Sequence, residues 1–208
     1  DMQDYQPTIF VTVPLMLEKM HAKILKKVHE KKVGKFALTL GKMVQDSFVS
    51  NLMEKIFAEV KKTFGGKLRL IIVGAAALNP EVAKDFKTFG IPTYIGYGLT
   101  ECAPLVIGNN DHLMLPDSVG VPLPGVEAKI YDPDDNGVGE IWVKGPMVMK
   151  GYYKDEAATK AVLTEDGWFK TGDMGTVDEQ GCYRIVGRCK NVIVTKNGKN
   201  IYPEEVEY

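Results

Sequence analysis

Residues that could bind a nucleotide and a divalent cation lie in a short segment, Tyr97-Gly98-Leu99-Thr100-Glu101. An aromatic ring can stack on a base, a hydroxyl can contact a phosphate oxygen and a carboxylate can bind Mg²⁺. The same residues also fit the start of a helix, with Thr100 as the N-cap and Glu101 in the first turn. The segment therefore predicts either a nucleotide–metal contact or a capped helix.

Charged residues in the second half of the chain could complete such a site. Asp173 ends the run Thr171-Gly172-Asp173, and a carboxylate can accept both hydroxyls of a ribose. An ordinary aspartate turn explains the same residue. Arg188, Lys190 and Lys199 follow, and basic groups there could contact phosphate or ribose oxygens, although surface loops often carry such residues without a ligand.

A further candidate is the turn Gly74-Ala75-Ala76, which follows an apolar run at residues 68–73. Ligands of open parallel sheets bind beyond the carboxyl ends of the strands, where small residues let a flat ring approach the backbone. A tight turn packed with alanines explains these residues equally well. Taken alone, the turn does not decide between the two readings.

The first half of the chain has the alternation of strands and helices that is typical of a parallel sheet. Strands are predicted at residues 7–13, 68–73 and 91–95, and amphipathic helices begin at Pro14 and end at Gly65-Gly66. Between the last two strands, Asn79 is expected to cap a helix that ends before Gly90. Strand, helix and strand then form a βαβ unit with a right-handed crossover.

Beyond about residue 108, Gly, Pro and Asp separate short β-rich runs, which predicts a mostly antiparallel sheet. The runs lie at residues 126–131, 140–143 and 183–186. Turns are predicted at residues 132–137, between the first two runs, and at residues 178–181.

The composition excludes several classes of protein. The 208 residues are 45% hydrophobic and 25% charged, which fits a folded globular chain. A net charge of −1 disfavours a nucleic-acid partner, and no apolar run reaches the length of a bilayer. Three cysteines without a CxxC pattern indicate neither zinc nor disulfides, so we expect a cytoplasmic protein. The lysine-rich face of the first helix is either solvated or a peripheral membrane contact, and the oligomeric state is left open.

The order and spacing of four motifs resemble the adenylate-forming (AMP-binding) superfamily, which contains acyl-CoA synthetases, luciferases and adenylation domains. The motifs are the segment 97–101, the residues 139–153, the run 171–173 and Gly187-Arg188. Residues 198–207 are similar to the long-chain fatty acyl-CoA ligase branch. The resemblance covers nearly the whole chain.

The resemblance implies an ATP-dependent ligase with a two-step reaction. A fatty acid is adenylated by ATP with release of pyrophosphate, and the thiol of coenzyme A then captures the acyl group from the acyl-AMP. It also implies roles for individual residues. By this resemblance, Tyr97 stacks on adenine, in a pocket that is lined by Gly98, Gly74, Ala75 and Ala76. The resemblance further implies that Thr100 contacts the α-phosphate, Glu101 binds Mg²⁺, Asp173 and Arg188 bind the ribose, Lys199 contacts a phosphate and Lys190 is a hinge. The family often has Gly-Gly where this chain has Gly74-Ala75.

By the same resemblance, the fold is α/β. Residues 1–107 are part of a parallel-sheet subdomain, 108–189 a β-barrel-like subdomain, and 190–208 the hinge and first strands of a small mobile α+β domain. The family's phosphate loop is expected before Asp1 and its adenylation lysine beyond Tyr208, so we expect a piece of a longer enzyme that is inactive alone. The alternatives are a sister enzyme that passes the acyl group to a carrier protein, and a nucleotide-binding module without chemistry.

Overall fold

The computed structural model describes residues 2–30, 57–194 and 200–203. The chain divides into two compact units, Asp1–Ile95 (unit 1) and Gly96–Tyr208 (unit 2). One strand runs through the division, so each half of it is described with its own unit. The three-part division at residues 107 and 189 stays a prediction.

Unit 1 alternates strands and helices as the sequence predicts. Its elements are α1 (Met2–Tyr5), β1 (Ile9–Thr12), α2 (Pro14–Glu30), the helical residues 57–63 (α3), β2 (Leu70–Val73), α4 (Pro80–Thr88) and the start of β3 (Thr93–Gly98). β1 pairs in parallel with β2, and β2 pairs in parallel with the first half of β3. The predicted parallel βαβ unit is therefore confirmed. β3 begins two residues later than predicted, after Pro92, which has no amide hydrogen to donate to a neighbouring strand.

The cap of α4 and the core of unit 1 follow from local sequence. The side chain of Asn79 accepts a hydrogen bond from the amide of Glu81 at 2.9 Å, which confirms the predicted N-cap. Three phenylalanines fill the core, and Phe86 makes edge-on contacts with Phe64 and Phe89. On α2, the described lysines at positions 19, 23 and 26 are exposed. Membrane contact through that face stays a prediction.

Unit 2 is built mainly from antiparallel strands, as predicted. Its elements are the end of β3, β4 (Leu105–Gly108), β5 (Val121–Pro122), β6 (Glu127–Tyr131), β7 (Gly139–Lys144), α5 (Glu156–Val162), β8 (Phe169–Val177), β9 (Tyr183–Arg188), β10 (Ile193–Val194) and β11 (Asn200–Ile201). β6, β7, β8 and β9 pair in that order, β4 joins β3 to β5, and β10 pairs with β11.

Among the described residues, an isolated bridge connects the two groups of strands in unit 2. Gly120, directly before β5, pairs with Tyr183 at the start of β9. The strands thereby enclose a core that includes Cys102, Val106, Ile141 and Phe169. Within the described ranges, none of the helices of either unit has the length and apolarity that crossing a bilayer requires.

Candidate nucleotide-binding site

Asp173 lies in the middle of β8, so the interpretation of this residue as part of an aspartate turn is wrong. Residues on β8 alternate between buried and partly exposed, because successive side chains of a strand point to opposite faces. Phe169, Thr171 and Asp173 share the buried face, and Asp173 is only 5% exposed. A carboxylate in such a position needs partners, since burying an unpaired charge is costly.

Two side chains hold the carboxylate of Asp173. The hydroxyl of Tyr97 donates a hydrogen bond to Oδ2 at 2.6 Å. Nε of Arg188 lies 2.8 Å from Oδ1, and the two residues are direct partners in the β8–β9 register. The structure therefore brings together three residues that the sequence analysis assigned to nucleotide binding.

The main chain of β8 is fixed by a residue to which the sequence analysis gave no separate role. The buried hydroxyl of Thr171 donates to the carbonyl oxygen of Ile141 at 2.7 Å and accepts from the amide of Asp173 at 3.0 Å. Beside it, the side chain of Glu140 accepts from the amide of Gly172 at 2.9 Å. In the sequence, these hydrogen bonds are indicated only by a threonine two residues before the aspartate.

Tyr97 is a stable hydrogen-bond donor. Burial and, after it, the negative charge of Asp173 raise the pKa of the Tyr97 phenol well above its usual range. The phenol consequently stays protonated at neutral pH and keeps its proton for the carboxylate.

The neighbouring segment carries Thr100 and Glu101 in a three-residue 3-10 turn, Thr100–Cys102. Leu99 occupies the cap position and no side chain caps the turn, so the interpretation of Thr100 as an N-cap is wrong. The reason is that no α-helix follows: Ala103 adopts φ +54° and ends the turn. The side chain of Thr100 is exposed.

Glu101 contacts a segment that follows β7. Its main-chain oxygen accepts a hydrogen bond from the amide of Met149 at 2.7 Å, and its Oε1 accepts one from the hydroxyl of Tyr152 at 3.0 Å. The pKa of the Tyr152 phenol is raised, by loss of solvation first and by the contact with Glu101 second. Tyr152 belongs to a motif of the sequence analysis, which gave it no separate role.

Gly98 lies between Tyr97 and this turn and allows β3 to approach β4. A Cβ atom at Gly98 would overlap the carbonyl oxygen of Pro104 and lie 2.8 Å from the Cα atom of Leu105. Glycine is therefore required for packing, and its role at the nucleotide stays a prediction.

The remaining candidates lie elsewhere in the chain. Gly74, Ala75 and Ala76 follow β2 in unit 1, and Ala75 has φ +74°, a conformation that favours glycine. Lys190 is exposed in the 3-10 turn Cys189–Asn191, two residues after Arg188. Lys199 lies outside the described residues. The roles of all five stay predictions.

Comparisons with known proteins agree with the assignment from the motifs. Residues 1–153 match the family model described as AMP-binding enzyme. Over its whole length, the chain is 34% identical to long-chain-fatty-acid–CoA ligase 2 of Schizosaccharomyces pombe and covers 33% of it. It is also 33% identical over its whole length to a chloroplastic long-chain-fatty-acid–acyl-carrier-protein ligase of Arabidopsis thaliana and covers 36% of it.

A solved structure extends the agreement to the fold. The O-succinylbenzoate coenzyme A synthetase of Bacillus subtilis, in complex with ATP and magnesium ion, matches with a TM-score of 0.69 and 26% identity. The match covers 99% of this chain and 36% of that one. The chain spans about a third of the length of the curated relatives it matches. It belongs to the family of AMP-binding enzymes.

Proposed function

We propose that this chain is part of a ligase that activates a long-chain fatty acid with ATP and passes the acyl group to coenzyme A. The observation that carries the proposal is the buried carboxylate of Asp173, which is held by Tyr97 and Arg188. The names of the relatives support the class of reaction and of substrate.

Asp173 is suited to hold a ribose. A carboxylate offers about four acceptor positions, and donors on both oxygens fix its orientation. Ribose hydroxyls approaching such a group meet an acceptor whose geometry is already set. Arg188, with its side chain 55% exposed, keeps the buried charge balanced and can reach outward to the nucleotide.

The residues at the turn fit a magnesium ion. Mg²⁺ takes oxygen ligands and in phosphate-handling sites is commonly bound by one or two carboxylates together with substrate phosphates. Glu101 offers such a carboxylate, and Thr100 precedes it in the same 3-10 turn. When bound, Mg²⁺ supplies positive charge that stabilises the transition state.

The residues of this chain position the reactants, and none of them acts as a nucleophile in the proposed reaction. A carboxylate oxygen of the fatty acid forms a bond to the α-phosphorus of ATP while the bond to pyrophosphate breaks. Thr100 donates to an oxygen of that phosphorus, where negative charge accumulates, and Asp173 fixes the nucleotide. In the second step, the thiol sulfur bonds to the acyl carbon, its proton is released, and AMP leaves.

The acceptor of the acyl group has two candidates. Coenzyme A is favoured by the relatives named as CoA ligases, and a carrier protein by the ligase from Arabidopsis thaliana. In either case, Lys190 is proposed as the hinge for a small domain that moves between the two steps. A Lys190→Pro variant that loses acyl transfer but keeps pyrophosphate release would support the hinge, and equal losses of both would contradict it.

The test uses the full-length protein that carries this chain. Asp173→Asn is expected to lower kcat/KM for pyrophosphate release by about ten- to a hundred-fold, because a charged acceptor is lost. Asp178→Asn is the matched control, since Asp178, directly after β8, pairs with Arg184 of β9 at 2.8 Å. Unchanged pyrophosphate release in Asp173→Asn would refute the proposal, and thioester formation with coenzyme A or with a carrier protein separates the two acceptors.

A further inference from the structure

Both the backbone and the side chain of Glu101 contact one short segment, residues 149–152, which we name the strap. The amide of Met149 donates to the main-chain oxygen of Glu101 at 2.7 Å, and the Tyr152 hydroxyl donates to Oε1 at 3.0 Å. Two hydrogen bonds to one residue restrain the backbone and the carboxylate together. The strap therefore limits how the carboxylate of Glu101 can rotate.

The strap is itself anchored to the first turn of α5. The amide of Tyr152 donates to Oγ1 of Thr159 at 2.9 Å, and that hydroxyl donates to the carbonyl oxygen of Asp155 at 2.7 Å. Asp155 caps α5 by accepting from the amide of Ala158. Gly151, at φ +147°, leaves room for this arrangement, because a Cβ atom there would lie 2.8 Å from the methyl carbon of Thr159. The backbone of Tyr152 is thus held by Thr159, while its hydroxyl contacts Glu101.

We propose that Tyr152 is a positioning residue for metal binding, whose hydroxyl holds the carboxylate of Glu101 in the orientation that receives Mg²⁺. The inference rests on the proposed function, in which Glu101 is the metal carboxylate. One phenol donor restrains a carboxylate without neutralising its charge, so the group keeps its affinity for a cation. Partners of this kind behind a metal ligand commonly change metal affinity by about ten- to a hundred-fold.

The neighbouring tyrosine provides a matched control. Tyr153 is 87% exposed, whereas Tyr152 is 37% exposed and bonded to Glu101. Tyr152→Phe and Tyr153→Phe each remove one hydroxyl, from the last residue of the strap and from the residue directly after it. A difference between the two variants therefore reports the hydrogen bond rather than the loss of a phenol.

The experiment measures metal binding directly, in the full-length protein with a non-hydrolysable ATP analogue. Mn²⁺ replaces Mg²⁺, and free Mn²⁺ is followed by electron paramagnetic resonance. Tyr152→Phe is expected to raise the Mn²⁺ dissociation constant about tenfold, and Tyr153→Phe to change it less than twofold. Wild-type Mn²⁺ binding by Tyr152→Phe would overturn the inference.

Glu101→Gln separates this inference from the proposed function. Weak Mn²⁺ binding by Glu101→Gln together with wild-type binding by Tyr152→Phe would overturn only the role of Tyr152. Wild-type binding by Glu101→Gln would overturn the metal role of Glu101 and the inference with it. If Tyr152 acts through Glu101, the double variant binds Mn²⁺ no more weakly than Glu101→Gln alone. A further tenfold loss in the double variant would show an independent action and contradict the inference.

Discussion

The two carboxylates of the candidate site are held in opposite ways. Asp173 is buried on a strand, with Tyr97 on one oxygen and Arg188 on the other. Glu101 is only partly buried in a three-residue turn, and Tyr152 donates to one of its oxygens. The first arrangement suits an acceptor that is buried in a fixed position, and the second suits a metal ligand whose orientation is restrained by one phenol donor and whose charge is not neutralised.

The difference in burial has consequences for stability. Removing a partner from a buried charge leaves that charge uncompensated, whereas exposed polar contacts contribute little. Substitutions around Asp173 are therefore expected to change folding stability as well as nucleotide binding. Substitutions around Glu101 are expected to change mainly metal binding.

The largest effect is expected from Gly98→Ala, which would break both regions at once. Gly98 joins Tyr97 to the turn that carries Glu101, and a Cβ atom there would collide with the main chain at Pro104. We expect a loss of about 3 kcal/mol in the free energy of unfolding, because the backbone of β3 and β4 must separate. Urea unfolding of the full-length protein measures it.

Gly108→Ala is the control for that substitution, because Gly108 lies on β4 and, among the residues that the structure describes, its added Cβ atom would meet only the side chain of Leu123, at 3.5 Å. It is expected to unfold close to the wild-type urea concentration. Equal stability of the two variants would show that the approach of β3 to β4 is not constrained at Gly98.

An intermediate effect is expected from a threonine-to-valine substitution, made once beside Asp173 and once at the threonine that holds the strap. Thr171→Val removes a buried hydroxyl and with it the hydrogen bonds to the carbonyl of Ile141 and from the amide of Asp173. We expect the free energy of unfolding to fall by about 1 to 3 kcal/mol. Thr159→Val removes the hydroxyl that holds the strap near solvent, at a cost of about 0.5 to 1 kcal/mol. Urea unfolding compares them, and a larger loss in Thr159→Val would reverse the ranking of the two regions.

Local patterns predicted those parts of the fold whose causes are local. The βαβ unit of unit 1, the cap at Asn79 and the turn at residues 132–137 follow from periodicity and from turn residues. β8 was missed because its buried face carries Thr171 and Asp173 at positions where a half-buried strand usually carries apolar side chains. Polar residues at these positions hide the strand from a pattern that recognises strands by buried apolar side chains.

The side chains that contact each other in the site lie far apart along the chain. Tyr97 and Asp173 are 76 residues apart, and Glu101 and Tyr152 are 51 apart. No local sequence pattern predicts the hydrogen bond within either pair. The motifs identified Tyr97, Glu101, Asp173 and Arg188 as candidates through their resemblance to a family, and the strand pairing was needed to show which of them meet.

The last effect appears only at high pH and concerns the contribution of Tyr97 on the buried side. Its pKa is raised in the folded protein, mainly by burial, whereas the unfolded chain has an ordinary tyrosine pKa of about 10. The folded state therefore binds this proton more tightly, so the contribution of Tyr97 is fully present below pH of about 10 and is lost as the pH rises further. Between pH of about 9 and 11, the wild type is expected to lose about 1 kcal/mol more unfolding free energy than Tyr97→Phe. Urea unfolding at each pH measures the difference. Parallel pH curves for the two proteins would mean that the pKa of the Tyr97 phenol is not raised by folding. The contrast with Glu101 would then reduce to burial.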